Sequence, residues 1–477
     1  MALLTLSFPQ FANAKVKLPA IVSSNMVLQR NTTIKIWGWA DPNEKITIKP
    51  SWLKSTIPVQ ADTEGNWMID VKTTDSKDQQ TIAIKSKTSD IFLENILFGE
   101  VWLCSGQSNM EMTLNGFLGQ PTYGSADAIA KSNNPNLRLF NVTKFKGSKT
   151  PLKDVEKYSP WQQASPETVK NFSAVAYFYG SQLQVILDVP VGIIQSSWGG
   201  SCVEAWISNE VMSSFQKIEI KEEDIALKAK SIPTVLFNSM LNPLIPYTIK
   251  GMLWYQGESN RDAPEKYKKL FPAMVQDWRD RWKIGDFPIY YTQIAPYSYE
   301  GNGSLLADKN SAFIREAQYQ CLDLISNSGI AITLDIGTKD CIHPPKKKEV
   351  ADRLLYNALN KTYNYKTVDY AGPVFDSMET KDGGLNLKFK NAENGVYAYD
   401  TLEGFEIAGS DKVFYQAKAK ILDRKTVLVS SDKVPNPTAV RYAWDNWVVG
   451  TLFNTNLLPA PSFRTDNWTD AQKATSN

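Results

Sequence analysis

The chain has 477 residues, 43% of them hydrophobic and 21% charged, with a formal net charge of +2. That length exceeds what one hydrophobic core usually supports, so more than one structural unit is expected. The near-balanced charge excludes the basic footprint of a nucleic-acid partner. A single histidine, and four cysteines with no C-x-x-C pair, exclude the common zinc sites, and neither a metal nor an organic cofactor is expected.

Residues 1–14 read as the remnant of a signal peptide. Ala2–Phe8 is a short apolar run, and Ala12-Asn13-Ala14 has the small-x-small form of a cleavage site. The run is too short to cross a bilayer and no later stretch is apolar enough. The expectation is a periplasmic or secreted protein without membrane insertion.

Residues 15–97 read as a small β-sandwich. Thr33–Trp37, Lys45–Ile48, Gly65–Val71 and Thr81–Lys85 are strand-like and are separated by turns such as Asp41-Pro42-Asn43. From 98 to 365 strands alternate with amphipathic helices. Glu100–Cys104, Val191–Gln195, Lys250–Tyr255, Ile289–Ile294 and Gly329–Leu334 are apolar runs of strand length. One helix starts after Ser173, a fitting N-cap. A second carries the stripe Tyr267, Leu270, Phe271, Met274, Val275, Trp278 and Trp282, and a third follows His343. Such alternation predicts a parallel sheet covered by helices on both sides. The mixed charges of 339–349 read as a solvated helix start. From 366 to 477 the texture is β again, with Leu385–Phe389, Val413–Ala417 and Thr426–Ser430 as strands of a closing sandwich.

Four segments carry chemistry. The strand Glu100–Cys104 runs into Ser105-Gly106-Gln107-Ser108-Asn109, which sets Ser108 at the carboxyl edge of the sheet, where open α/β folds bind ligands. A serine there is equally suited to cap a helix, and the Gly-x-Ser-x-Gly elbow is absent. The only histidine, His343, follows Asp340 by three positions and precedes Pro344-Pro345. A turn of that form can fold the carboxylate onto one ring nitrogen and leave the other to take a serine proton. That pairing favours Ser108 as a nucleophile.

Gln195–Ser201 and Trp254–Asn260 end two more strands. The first offers glycine N–H groups at 199 and 200, the second the Gln256 amide and the Glu258 carboxylate. Trp198, Trp206, Trp254 and Tyr255 stand at the same rim, where stacking on a sugar and packing in the core are both open readings. Cys104, Cys202 and Cys341 lie within four residues of these motifs, as small residues packed around a site, and an exported location also permits a disulfide.

Taken in order, Gly-Gln-Ser-Asn, Trp-Gly-Gly-Ser, Trp-Tyr-Gln-Gly-Glu-Ser-Asn and Asp-x-x-His resemble the four blocks of the SGNH-hydrolase superfamily. Within it the chain resembles the sialate O-acetylesterase-like carbohydrate esterases, and the likeness runs from Asn25-Met26-Val27-Leu28-Gln29 to the C-terminal Leu458–Asp466. The resemblance implies an α/β, flavodoxin-like three-layer domain flanked by two β-sandwiches. It implies Ser108 as nucleophile, His343 as base, and Asp340 as the orienting acid with Glu258 as the alternative. Ser108, Gly200 and Gln256 become the oxyanion donors, Gln256 standing where the superfamily's usual asparagine is missing. Trp198, Trp254 and Asn109 become substrate contacts. The implied partner is an O-acetylated carbohydrate, sialic acid first, with xylan, pectin or another plant polysaccharide as the alternative. A glycan-binding protein without activity is the reading from another class.

Overall fold

The structure is a computed structural model and describes residues 15–299, 310–381, 383–468 and 472–473. The expected signal-peptide remnant, residues 1–14, lies outside the described residues. The chain opens with β1 (Val27–Gln29), β2 (Thr33–Trp39), β3 (Lys45–Pro50), β4 (Ile57–Gln60), β5 (Asn66–Lys72) and β6 (Gln80–Ser86). Strand β5 buries every second residue, so one face packs and the other meets solvent. It pairs antiparallel with β2 from Thr33↔Lys72 to Trp39↔Asn66.

The next strand, β7 (Asp90–Gly106), is one continuous element of 17 residues. Its first part pairs antiparallel with β6, and its last part is the middle of a parallel sheet. The boundary drawn between residues 97 and 98 from composition therefore falls inside a strand. The change of partner is made near Asn95, which takes a left-handed φ of 56°. Asparagine tolerates that region better than most residues. Its Nδ2 donates to Asn25 Oδ1 at 2.6 Å, and its Oδ1 accepts from the buried Arg138 at 3.0 Å.

Around β7 the sheet is completed by β8 (Asn134–Val142), β9 (Tyr158–Ala164), β10 (Val191–Ser197), β11 (Gly251–Tyr255), β12 (Ile289–Thr292) and β13 (Ser328–Ala331). The order is β13-β12-β11-β7-β10-β8-β9. All of these pairs are parallel except that of β9, which lies antiparallel on the edge. Strands β10 and β11 are buried at every residue, as parallel strands covered on both faces must be.

Alternate residues serve opposite cores. Trp102, Cys104, Ile193, Leu253 and Tyr255 face one core, and Val101, Leu103, Ile194, Met252 and Trp254 face the other. Helices cover both faces: α1 (Ser108–Glu111), α2 (Ala174–Leu187) and α5 (Lys347–Lys361) pack on the first, α3 (Pro264–Trp282) and α4 (Ala312–Leu324) on the second. Ser173 caps α2, its Oγ accepting from Ala176 N–H at 3.2 Å. Strands β10 and β11 leave β7 on opposite sides, so the order reverses there. In open α/β sheets a crevice opens at such a switch point, beyond the carboxyl ends of the strands.

Smaller sheets follow. One is built from β14 (Val374–Lys381), β15 (Gly384–Lys390), β18 (Lys418–Ile421) and β19 (Thr426–Ser430). Another includes β16 (Phe405–Ala408), β17 (Val413–Gln416) and β20 (Ala439–Tyr442). Arg315 of α4 is fully buried and ties this region down, donating to Ser462 Oγ and to the carbonyls of Ala443 and Asp445. The whole is an α/β unit with a large mixed sheet and smaller flanking sheets. No helix among the described residues is long and apolar enough to cross a membrane.

Candidate active site

The end of β7 forms the floor of the switch point. Gly106 takes φ 139°, and a Cβ there would sit 2.1 Å from the Tyr255 carbonyl oxygen, so only glycine fits. Gln107 N–H donates to that same carbonyl at 2.9 Å. The Gln107 side-chain oxygen accepts from Gly257 N–H at 3.2 Å and Ser259 N–H at 3.3 Å. The two strand ends are thus knitted together, and Ser108 emerges from the junction at the head of α1. Ser108 is half-buried, and among the described residues neither its hydroxyl nor its N–H has a partner.

The β10 rim lies against it. A Cβ on Gly199 would be 3.4 Å from Ser108 Cβ, while one on Gly200 would meet the Lys230 ammonium at 3.1 Å. Gly199, not Gly200, is therefore the glycine facing the serine. Its N–H donates to Glu111 Oε2 at 2.5 Å, and Glu111 also pairs with Lys144. Gly200 turns away with φ 73°.

The third rim segment differs from expectation. Gln256 is fully buried and both amide hydrogens are committed, to the Ser201 carbonyl at 3.1 Å and to Asn260 Oδ1 at 2.7 Å. Asn260 in turn holds Val203 N–H and Glu204. Gln256 here braces the β10 loop and has no hydrogen left for an oxyanion. Trp254 is also fully buried, edge-on to Trp206 and Trp278 and stacked on Phe271. The alternation of β11 sends it into the core, which removes it from contact with a substrate. Trp198 remains half-buried at the rim, its backbone N–H on the Gly106 carbonyl at 3.0 Å.

Asn109 joins the two ends of the chain. It is fully buried, and its Nδ2 donates to Glu258 Oε1 at 2.6 Å and to the Ile342 carbonyl at 3.1 Å. The residue after Ser108 is therefore bonded to the residue before His343. Its Oδ1 accepts from Lys347 Nζ at 2.5 Å. Asn109 is occupied on every side, which makes it a strut and not a substrate contact. Glu258 Oε2 is enclosed without a partner, and burial pushes this carboxyl above its ordinary range.

His343 is half-buried, edge-on to the Phe117 ring at 5.2 Å. Its Nδ1 lies 2.7 Å from Gln120 Oε1. A carbonyl oxygen can only accept, so Nδ1 carries the hydrogen and Nε2 is left as the acceptor. Burial first, and then the Lys347 charge, bring the imidazole down to about 4. Asp340 is exposed, and no hydrogen bond joins it to His343 among the described residues. The four cysteines are free.

The sequence reading missed Gln120 and Lys347. Gln120 sits in a loop with no motif. Lys347 belongs to the charge run read as solvated, yet it is fully enclosed; only the fold shows that α5 starts with this side chain turned inward.

An α/β sheet with a free serine hydroxyl at its switch point and an imidazole in a turn bonded to the serine's helix fit a hydrolytic enzyme. The comparisons narrow the class. Residues 99–347 match the family described as carbohydrate esterase, sialic acid-specific acetylesterase, and the chain belongs to that family. It is 26% identical to the sialate O-acetylesterase of Mus musculus and 27% identical to that of Homo sapiens, covering 94% of this chain and 94% and 92% of those proteins. Among solved structures it is similar to a carbohydrate acetylesterase from Xanthomonas citri, with a TM-score of 0.85, 32% identity, and 95% of this chain and 100% of that one covered. The protein is a carbohydrate esterase.

Proposed function

We propose that this esterase removes O-acetyl groups from carbohydrates, O-acetylated sialic acid first among them, with Ser108 as nucleophile and His343 as general base. The observation that carries the reading is the Asn109 strut, which ties the Ser108 helix to the His343 turn across 233 residues of sequence. Ser108 Oγ attacks the acetyl carbonyl carbon while His343 Nε2 takes the hydroxyl proton. The Ser108 N–H, which has no partner of its own, receives the developing oxyanion. The sugar oxygen leaves with the proton returned by His343, and the acetyl group stays on Ser108. Water then gives its proton to His343 and displaces the serine, releasing acetate.

Asp340 holds the acid role in this reading by its spacing from His343. In the resting arrangement its carboxylate faces solvent and Gln120 stands at Nδ1. The same reading carries an exported, periplasmic or secreted protein. It also carries an SGNH three-layer domain over 98–365, with β-sandwiches over 15–97 and 366–477.

Acetylated xylan or pectin is the second substrate reading; the similar solved structure is described as a carbohydrate acetylesterase, a description that both readings satisfy. Acetate release from O-acetylated sialic acid, acetylated xylan and acetylated pectin tests both, with Ser108→Ala as the blank. Wild type is expected to turn over the sialic acid ester fastest, and Ser108→Ala to lose about 10⁴-fold or more. Equal rates for wild type and Ser108→Ala remove the nucleophile; a preference for xylan or pectin moves the substrate to the second reading.

A further inference from the structure

The reaction uses Ser108 and His343, but the most deeply enclosed charge beside them is Lys347. It has no exposed surface, although it lies between Lys346 and Lys348 at the start of α5. A lysine is almost never sealed from solvent unless something compensates it. Its compensation is indirect. Among the described residues no ion pair joins it to Glu258; Asn109 stands between them, accepting from Nζ with Oδ1 and donating to Glu258 with Nδ2. The ammonium also lies over the Tyr255 ring, 5.7 Å from its centre. The Lys347–Asn109–Glu258 chain links the segments after β7, after β11 and after β13, and Asn109 extends it to the carbonyl beside His343.

We propose that Lys347 is a positioning residue for the hydrolysis: through Asn109 it locks the His343 turn onto the Ser108 helix, and it sets a cation behind the imidazole. This rests on the Ser108–His343 reading above.

Two physical consequences follow. Asn109 has one side-chain oxygen and one NH2, and Lys347 on the oxygen fixes the NH2 toward Glu258 and Ile342. The carbonyl of Ile342 is thereby pinned, and His343 follows it in the chain. The second consequence is electrostatic. The groups facing Lys347 are Glu258, Cys341 and the Tyr255 ring; those facing His343 are Gln120, Phe117 and Lys347, with Asp340 exposed in the same turn. Burial brings the lysine down to about 7, with Glu258 opposing the shift. At about pH 4, where His343 titrates, Lys347 is therefore charged, and a cation there disfavours the imidazolium. The sign is definite. Removing the charge raises the pH at which His343 picks up its proton, and the acidic limb of kcat/KM moves up with it.

The chain holds one histidine, so its imidazole signals titrate in an NMR spectrum without overlap. The test compares that titration and the pH profile of short-chain nitrophenyl acetate hydrolysis in wild type, Lys347→Met and Lys347→Gln. Glutamine keeps an N–H for Asn109 without the charge, and serves where the methionine variant fails to fold. In either variant the His343 midpoint and the acidic limb are expected to move together toward neutral pH. Activity at about pH 5 then falls several-fold relative to the plateau. A profile that superimposes on wild type after scaling, with an unmoved His343 midpoint, overturns the proposal. Ser108→Ala separates the failures: if it stays active the nucleophile is wrong, whereas a dead Ser108→Ala beside an unmoved Lys347→Gln titration condemns the lysine alone.

Discussion

Ser108 and His343 sit on ground of different stiffness. Ser108 follows a glycine locked against the Tyr255 carbonyl, a backbone hydrogen bond from Gln107, and a glutamine side chain clasped by two backbone N–H groups. His343 lies in a turn between β13 and α5, and side chains hold it: Gln120 at the ring, Asn109 and Lys347 behind it. Backbone contacts leave few ways to adjust a position. Side-chain contacts can be retuned one residue at a time. The place of Ser108 is therefore set by the sheet, and the place and charge of His343 by its neighbours.

The sharpest way to break this comparison is the acid. If Asp340 holds the acid role, its carboxylate has to replace Gln120 at Nδ1 during turnover. Asp340→Asn is then expected to lower kcat on the order of 10²–10³-fold, with KM little changed. Glu258→Gln, measured beside it, is expected to lose less, because Glu258 acts through Asn109 and does not touch the ring. If the glutamine variant loses more, the acid role passes to Glu258, and the base is braced from the rigid side after all.

How much of this could be read from sequence divides along the same line. Regular elements with an apolar face were legible: the stripe from Tyr267 to Trp282 is α3, Ser173 caps α2, and the apolar runs at 191 and 251 open β10 and β11. Helix α4 was not, because its buried face carries Arg315 and Gln318, which break the apolar period. Strand β8 includes Pro135, Asn136 and Arg138, so its first half looks like a loop. The continuity of β7 across residues 97 and 98 was not legible, since no turn signal marks its change of partner, which rests on one asparagine. At the site, Ser108 and His343 were visible because motif and uniqueness mark them. The partners of His343 were not, since burial of Lys347 and the reach of Gln120, 223 residues away, are products of tertiary packing.

Gln120 gives the next smaller effect. Its carbonyl selects the tautomer with hydrogen on Nδ1, so Gln120→Ala should leave the ring to distribute between two tautomers. A loss of about tenfold in kcat is expected, with the Nδ1–H signal of the single histidine weakened by exchange. An unchanged rate and an unchanged signal would mean that the turn itself orients the ring, and the His343 side would be stiffer than its contacts suggest.

The smallest effect belongs to the rim. Trp198 and Trp254 stand at the ends of the two strands that flank β7, yet Trp254 faces a core of aromatic rings and Trp198 stays half-buried beside Gly106. Trp198 touches neither the Ser108 hydroxyl nor the His343 ring through any hydrogen bond, so its removal should spare the chemistry. Trp198→Ala is expected to raise KM a few-fold on an acetylated glycan, the scale of one lost stacking contact of about 1 kcal/mol. On nitrophenyl acetate, which has no sugar to stack, kcat/KM should stay within twofold of wild type. Alanine keeps the backbone N–H that donates to the Gly106 carbonyl, so a matching loss on both substrates would mean that the indole itself packs the Gly106 junction in place. The stiff half of the site would then extend one strand further than the backbone contacts around Ser108 alone define.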